Sequence, residues 1–119
     1  MAAPNIVNVA SIYGKTATLA VTTTPTAIVS NPGASNKVYK INSLIISNVN
    51  GTAAADITID HYRGTTPSRL AFTVSVPNDA TLVALSKDTS IYLEEGDAIR
   101  LTASVNAYLE GVCSYEEIG

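Results

Sequence analysis

The chain of 119 residues has no tryptophan, one phenylalanine, one histidine and one cysteine. A single cysteine, Cys113, excludes a disulfide within the chain and a zinc site built from several thiolates. With so few aromatic residues, the core must consist mainly of isoleucine, valine and leucine. Charged residues make up 14% of the chain, well below the usual value of about 25%. The polar surface must therefore come from threonine, serine and asparagine.

Basic residues are also scarce, and the net charge is −3. Nucleic-acid binders need a concentrated basic surface to displace the counterions of the phosphates, which seven scattered lysines and arginines do not supply. No apolar run approaches the roughly 18–20 residues of a membrane span. The first residues lack the charged and apolar regions of a signal peptide. We expect no nucleic-acid partner, no membrane partner, and synthesis and folding in a cytoplasm.

The clearest pattern in the sequence is the alternation of polar and apolar residues. It is clearest at residues 56–60, 70–76 and 97–103, and predicts strands with the apolar face inward and the polar face in water. In the second of these, the residues predicted to point inward are Leu70, Phe72, Val74 and Val76. Less regular segments with strand-forming composition lie at residues 6–9, 16–22, 27–30, 38–49, 81–85, 90–93 and 108–115.

Turn residues separate these segments at intervals of about 10–17 residues, the spacing of sandwiches and barrels. Examples are Asn50-Gly51 and Glu95-Gly96-Asp97. Only residues 105–110 could form a helical turn. We predict a single all-β domain over residues 1–119, an antiparallel β-sandwich of about eight short strands that is jelly-roll-like or immunoglobulin-like. Residues 1–12 could serve as an N-terminal arm that adds a strand to a neighbouring sheet.

The residue types that could support catalysis lack the necessary neighbours. His61 would need a carboxylate to orient its ring, and its neighbour Asp60 points to the other face of the strand. Cys113 has no cationic neighbour that would lower its pKa, so a buried, inert thiol is expected. Asp56 and Asp60 share a strand face about 13 Å apart, too far for a glycosidase pair. We predict no enzymatic activity, no catalytic residue and no cofactor.

Three acidic residues meet at one predicted hairpin tip. Glu94, Glu95 and Asp97 are expected to lie in water there, with ordinary pKa values. The loop is too short to enclose a calcium ion, although it could contribute to an ion shared between subunits. We predict no metal site within the chain.

Interaction surfaces are therefore the more informative prediction. Tyr62 and Tyr92 alternate outward on their strands, and tyrosine is enriched at protein interfaces. The segment 41–49 is apolar on both faces at Leu44-Ile45-Ile46, which predicts either a central strand or an edge covered by another subunit. The predicted interface residues are Ile6, Val7, Val9, Tyr13, Leu44, Ile46, Tyr62, Tyr92, Glu94, Glu95 and Asp97.

Several stretches together resemble a known group of proteins. They are PNIVNVASIYGKTA at 4–17, KVYKINSL at 37–44, NGTAAAD at 50–56, SIYLEEGD at 90–97 and CSYEE at 113–117. In this order, and over most of the chain, the sequence resembles small virion structural proteins of marine and cyanobacterial tailed phages. The group has no residue-level motif to transfer.

The resemblance implies a virion component made in the host cytoplasm. A capsid decoration or cement-type subunit is the expected role, bound to major capsid, tail or neck proteins through its sheet edges and terminal arm. The alternatives are a tail, neck or fibre-base protein, or a carbohydrate-binding module that contacts the host envelope. We expect a homo-oligomer, with a trimer slightly favoured over a dimer.

Overall fold

Strands account for nearly all of the regular structure in the computed structural model, which describes residues 4–119. A single 3-10 turn at Lys87–Thr89 is the only helical element of the described part. The nine strands are β1 (Ile12–Ala20), β2 (Thr26–Ser30), β3 (Val38–Asn48), β4 (Ala55–Arg63), β5 (Thr66–Val76), β6 (Thr81–Leu85), β7 (Ile91–Leu93), β8 (Asp97–Ala103) and β9 (Leu109–Ile118).

The strands form two antiparallel sheets. The first has the order β1-β9-β3-β6, with β7 also paired to β3, and the second has the order β2-β8-β4-β5. When β6 and β7 are counted as one interrupted strand, the pairing is nested: β1 pairs with β9, β2 with β8, β3 with β6 and β7, and β4 with β5. This nested pairing is the topology of a jelly roll. The predicted all-β sandwich is confirmed, and the pairing selects the jelly-roll alternative.

The core lies between the two sheets and is aliphatic. Its largest fully buried side chains are Ile41, Leu44, Ile46, Ile57, Ile59, Leu93, Ile99, Leu101 and Leu109. Burying each such side chain contributes about 1.5–3 kcal/mol. The alternation at 56–60 and 97–103 thus predicted the inward residues of β4 and β8 correctly.

The alternation in β5 led to a wrong prediction. Leu70, Phe72 and Val74 are exposed, Phe72 to 62%, and only Val76 is buried. The register against β4 shifts twice, so that β5 carries extra residues at these points. Thr73 has a positive φ of 48°, which accompanies the first irregularity. An extra residue changes the face to which the neighbouring side chains point, which accounts for Phe72. Val74 lies opposite the buried Ile57 on the core face and is exposed because β5 is an edge strand.

The prediction for one short segment was also wrong. Residues 6–9 form no strand, because the Asn5 side chain accepts a hydrogen bond from Val7 N at 3.0 Å and the Asn5 carbonyl accepts one from Asn8 N at 3.1 Å. Such local bonds from asparagine favour a turn over an extended chain. Residues 105–110 contain no helical turn. Of the predicted arm, residues 1–3 lie outside the described residues.

Candidate interaction surfaces

The Glu94–Asp97 turn is anchored by a buried carboxylate. Asp97 has 0% exposure, so its prediction as an exposed interface residue was wrong. Its Oδ1 accepts from Arg63 Nε at 2.7 Å, and its Oδ2 accepts from Arg63 Nη2 at 2.7 Å and from Glu94 N at 2.9 Å. His61 Nε2 lies 3.2 Å from the same Oδ2. The burial follows from the register, which places Arg63 directly opposite Asp97.

Burial and ion pairing act in opposite directions on this carboxyl group. Burial raises the pKa of Asp97, but the Arg63 guanidinium and the Glu94 N–H favour the charged form more strongly, so the pKa lies below its usual range. Arg63 also donates to Glu94 at 2.8 Å. Within residues 4–119, the only side-chain hydrogen bond of His61 is to Asp97. We call Asp97, Arg63, Glu94 and His61 the Asp97 cluster. It holds the β7–β8 turn against the end of β4, and because both carboxylate oxygens of Asp97 are bonded to Arg63, its role is structural.

Replacing Asp97 by asparagine is expected to lower the free energy of unfolding by about 2 kcal/mol, because two charge-assisted bonds from Arg63 are lost at a buried site. Asp79→Asn, at an exposed turn with a positive φ that asparagine tolerates, is the matched control and should change stability by less than about 0.5 kcal/mol. Urea denaturation of both variants measures the difference. Equal effects would show that the cluster does not anchor the turn.

A second buried carboxylate lies on the outer face of the four-stranded sheet. Asp60 is buried and accepts from Arg69 Nη1 at 2.6 Å and Arg100 Nη2 at 3.3 Å. The Arg100 guanidinium lies 3.7 Å from the Tyr62 ring centroid. Tyr62, a predicted interface residue, is therefore half-buried beneath this arginine. Asp60 has no part in orienting His61, since the two side chains have different partners.

The prediction that Leu44 and Ile46 lie at an interface was wrong. Both side chains have 0% exposure and belong to the core. β3 is a central strand, flanked by β9 on one side and by β6 and β7 on the other. Its register against β9 shifts between Ile41 and Ser43. The inward residue before the shift is therefore the odd-numbered Ile41, and the inward residues after it are the even-numbered Leu44 and Ile46. Ile45 lies on the opposite face and is half-buried.

Three other predicted interface residues lie together. Ile6, Tyr92 and Glu94 line a hollow of about 360 Å³, completed by Pro4 and Val38. The N-terminal segment therefore contributes to a surface of its own domain beside β7. The remaining candidates do not join it: Val7 is 91% exposed, Val9 is half-buried, and Tyr13 is exposed on β1. Glu95 Oε2 accepts from Asn36 N at 2.9 Å.

The sequence reasoning missed an exposed apolar edge. Phe72 on β5 and Val83 on β6 are 62% and 61% exposed. Both were assigned to strands, but Phe72 was predicted to point inward. Alternation alone carries no signal of an irregular register, so these residues could be found only from the strand pairing.

Glu117 links two lysines at one end of the five-stranded sheet. Its Oε2 accepts from Lys15 Nζ at 2.9 Å and its Oε1 from Lys37 Nζ at 2.7 Å. These two hydrogen bonds lower the pKa of Glu117 to about 2, and burial opposes them only in part. The pair of lysines thus joins β1 and the start of β3 to β9.

This arrangement predicts loss of stability in acid. The folded-state pKa of Glu117 lies below the ordinary value of 4.5, so its contribution is complete above about pH 5 and is lost as the pH falls towards about 2. Melting temperatures by circular dichroism should fall over this range, and Glu117→Gln should make the fall shallower. Glu110→Gln, at an exposed site on the same strand, should leave the profile unchanged. A wild-type profile for Glu117→Gln would contradict the assignment.

Cys113 is fully buried in β9, and burial raises the pKa of its thiol to about 12. At neutral pH it is a protonated thiol enclosed by apolar side chains, which makes it neither a nucleophile nor a metal ligand. Across residues 4–119, no three histidine, cysteine or acidic side chains are grouped so that they could hold a metal ion. The described part of the chain also contains no helix long and apolar enough to cross a membrane.

Comparison with known proteins identifies a related fold. No family model and no curated protein matches the chain. Among solved structures, it is similar to a chain from Bacillus endospore appendages, which are described as a novel family of disulfide-linked pili. The TM-score is 0.53 over 99% of this chain and 96% of that chain, with 15% sequence identity. At this identity the likeness establishes a shared fold.

Proposed function

We propose that this chain is a non-enzymatic structural subunit of a multi-copy particle, and that the particle is the virion of a tailed phage. The observation that carries the proposal is the position of the exposed apolar side chains. Most of them lie on strands at the edges of the sheets: Ile12 and Tyr13 on β1, Leu70, Phe72 and Val74 on β5, Val83 on β6 and Tyr92 on β7. The others, Ile6, Val7, Val49 and Val105, lie in the segments between strands or before β1. Exposed apolar groups gathered at edges are typical of surfaces that bind other proteins.

Two further lines support a structural role. The fold is shared with a chain from Bacillus endospore appendages, which are described as pili, and the sequence resembles small virion structural proteins. Within the virion we propose a decoration or cement-type position, where copies bind the major capsid protein. Tail, neck and fibre base are the alternative positions.

The test is to localise the protein on purified virions of a phage that encodes it. Antibody labelling should mark the particle at regular positions, and those positions separate capsid from tail, neck and fibre base. Sedimentation of the purified chain should show self-association or co-sedimentation with particles. A stable monomer that is absent from virions and does not bind them would overturn the proposal.

A surface appendage is a second candidate, favoured by the similarity to the Bacillus structure. It predicts that the purified chain alone forms filaments visible by negative-stain electron microscopy. The virion proposal predicts instead that ordered assemblies appear only with other virion proteins. The carbohydrate-binding alternative has less support, because the exposed aromatic side chains Tyr13, Phe72 and Tyr92 lie on three different strands of two sheets. Binding to an array of host-envelope glycans would favour it.

Whatever the assembly, we expect its contacts to be non-covalent. The pili of the structural neighbour are described as disulfide-linked, whereas the one cysteine of this chain is enclosed in the core.

Labelling of Cys113 with a thiol reagent at pH 8 is therefore expected to be at least about a hundredfold slower in the folded chain than in urea, because a pKa of about 12 leaves only about one thiol in ten thousand ionised. Thr18→Cys, which adds a thiol at an exposed site, is the control and should be labelled at once. Rapid labelling of the folded wild type would mean that Cys113 is accessible.

A further inference from the structure

The four sheet edges differ in their ability to accept another strand. β2 and β6 have five residues each and carry irregular registers, and β7 has only three residues. β5 is long, but its two register shifts and the positive φ of Thr73 interrupt its edge. Short strands and bulges are common protections against strand addition. β1 has none of them: its nine residues pair with β9 in one unbroken register.

The free hydrogen-bonding groups of β1 can be assigned from the bonds at its ends. Val21 N donates to the Leu109 carbonyl, and Gly119 N donates to the Ser11 carbonyl. Both bonds fit the register of β1 with β9, in which the two residue numbers sum to 130. Since hydrogen bonding alternates along an antiparallel strand, odd-numbered residues of β1 bond to β9. The even-numbered residues direct their N–H and C=O groups outward: Ile12, Gly14, Thr16, Thr18 and Ala20.

The side chains of β1 do not deter pairing. A lysine often protects an exposed edge, but the one charged residue of this strand, Lys15, is held 2.9 Å from Glu117. It lies on the same strand face as Ala17 and Leu19, which pack against the core. At the start of the strand, Ile12 and Tyr13 are 56% and 57% exposed and would gain contacts from a neighbouring strand.

We propose that β1 pairs antiparallel with β1 of a second copy of this chain, about a two-fold axis at Thr16. This inference rests on the proposed structural role and specifies one contact of the assembly. Even-numbered residues must pair with even-numbered ones, and centring on Thr16 aligns all nine residues. Tyr13 then lies opposite Leu19 of the second copy, and Ile12 lies opposite Ala20.

The charge pattern agrees with this register. Centring on Thr16 places Lys15 opposite Ala17 of the second copy, whereas centring on Lys15 would set two lysines directly opposite each other, which is unfavourable. The contact is isologous and closes on itself. It produces a dimer with a continuous sheet across both copies, where the sequence slightly favoured a trimer.

Cysteine cross-linking tests the register. In Thr16→Cys the two new thiols face each other across the axis, with Cα atoms about 5.5 Å apart, within disulfide range. In Thr18→Cys each thiol faces Gly14, and the two thiols are offset by four residues, about 13 Å. Under mild oxidation, Thr16→Cys should form at least about tenfold more covalent dimer than Thr18→Cys, since geometry controls disulfide formation. The buried Cys113 makes the wild type a suitable background.

Charge and proline variants test the affinity. The variants Thr16→Lys and Thr18→Lys have the same amino-acid composition, and both place the lysine on the same exposed face of β1. Only Thr16→Lys sets two lysines of the two copies directly opposite each other. Sedimentation equilibrium should give a dissociation constant raised about threefold or more for Thr16→Lys and changed less than about twofold for Thr18→Lys. Thr16→Pro removes both central N–H donors and should raise it about thirtyfold. Because the monomer does not use this N–H, its melting temperature should stay close to wild type.

The outcomes separate this contact from the proposed function. If the wild type self-associates or binds virions, but both cysteine variants cross-link equally and both lysine variants bind equally, the β1 contact is wrong and the structural role stands. If the wild type is a monomer that binds no particle, both proposals fail. If Thr16→Pro does not fold, the lysine pair and the cysteine pair decide the matter.

Discussion

Replacing Leu44 by alanine is expected to lower the free energy of unfolding by about 3 kcal/mol. The side chain has 0% exposure and belongs to the core between the two sheets. Its strand, β3, is a central strand of the five-stranded sheet. Removing three of its carbon atoms loses their burial and leaves a space that its neighbours cannot fill, because β3 is held by strands on both sides. A loss of this size is a large fraction of the stability of a small domain.

The matched control is Val83→Ala on the neighbouring strand β6. Val83 is 61% exposed, so the change should alter stability by less than about 0.5 kcal/mol. Urea denaturation of each purified variant, as monomer, measures both values. Self-association should be unaffected by Leu44→Ala under conditions where the variant is folded. If instead the variant were stable and failed to assemble, Leu44 would be an interface residue, as the sequence first indicated.

The position of Leu44 shows where sequence patterns stop being informative. Leu44, Ile45 and Ile46 are consecutive apolar residues, so either face of the strand could be the core face. Strand pairing decides it, through a register shift between Ile41 and Ser43. In β4 polar and apolar residues alternate strictly over residues 56–60, and β8 alternates with one exception, Ala98. Ile57, Ile59, Ile99 and Leu101 were correctly predicted to point inward.

The same limit explains β5. Its alternation is as regular as that of β8, yet the face it predicted as buried is largely exposed. Because the register against β4 shifts twice, the alternation along the sequence no longer tells which side chains point to the core. An insertion of one residue in a strand is invisible to a period-two pattern, because what matters is the length of the partner strand opposite it.

The Asp97 cluster was unpredictable for a different reason. A sequence of Glu-Glu-Gly-Asp indicates an exposed turn, and Glu94 is indeed exposed. Asp97 becomes buried because Arg63, distant by 34 residues, lies opposite it in the paired strand β4. Contacts between residues so far apart depend on the topology of the whole domain, which no local pattern contains.

These corrections move the expected contacts away from the middle of the sheets. The acidic turn is anchored within the chain, and the apolar middle of β3 is internal. The groups that remain available to partners include the regular backbone of β1 and the exposed apolar side chains of β5 and β6. The backbone of β1 can form hydrogen bonds with a strand of a partner, whereas the side chains of β5 and β6 can be covered only by apolar side chains of a partner.

Replacing Gly111 by valine is expected to destabilise the fold by about 3 kcal/mol. Gly111 lies in β9 and faces strands of the other sheet: an added Cβ would lie 2.7 Å from Leu101 Cδ1 and 3.3 Å from Ile28 Cδ1. Leu101 itself has 0% exposure and cannot turn towards solvent. The glycine is therefore required by space and not by an unusual backbone angle.

Gly14→Val is the matched control, since Gly14 lies in the paired strand β1 and an added Cβ meets nothing within 4 Å. Valine suits an exposed strand, so this variant should be neutral or slightly stabilising. The cause of the Gly111 effect can be isolated by a double-mutant cycle with Leu101→Ala, which removes the closest atom. In that background the cost of Gly111→Val should shrink by at least about 1 kcal/mol, because the two changes share one space. Additive costs would mean that the loss comes from elsewhere than the contact between the sheets.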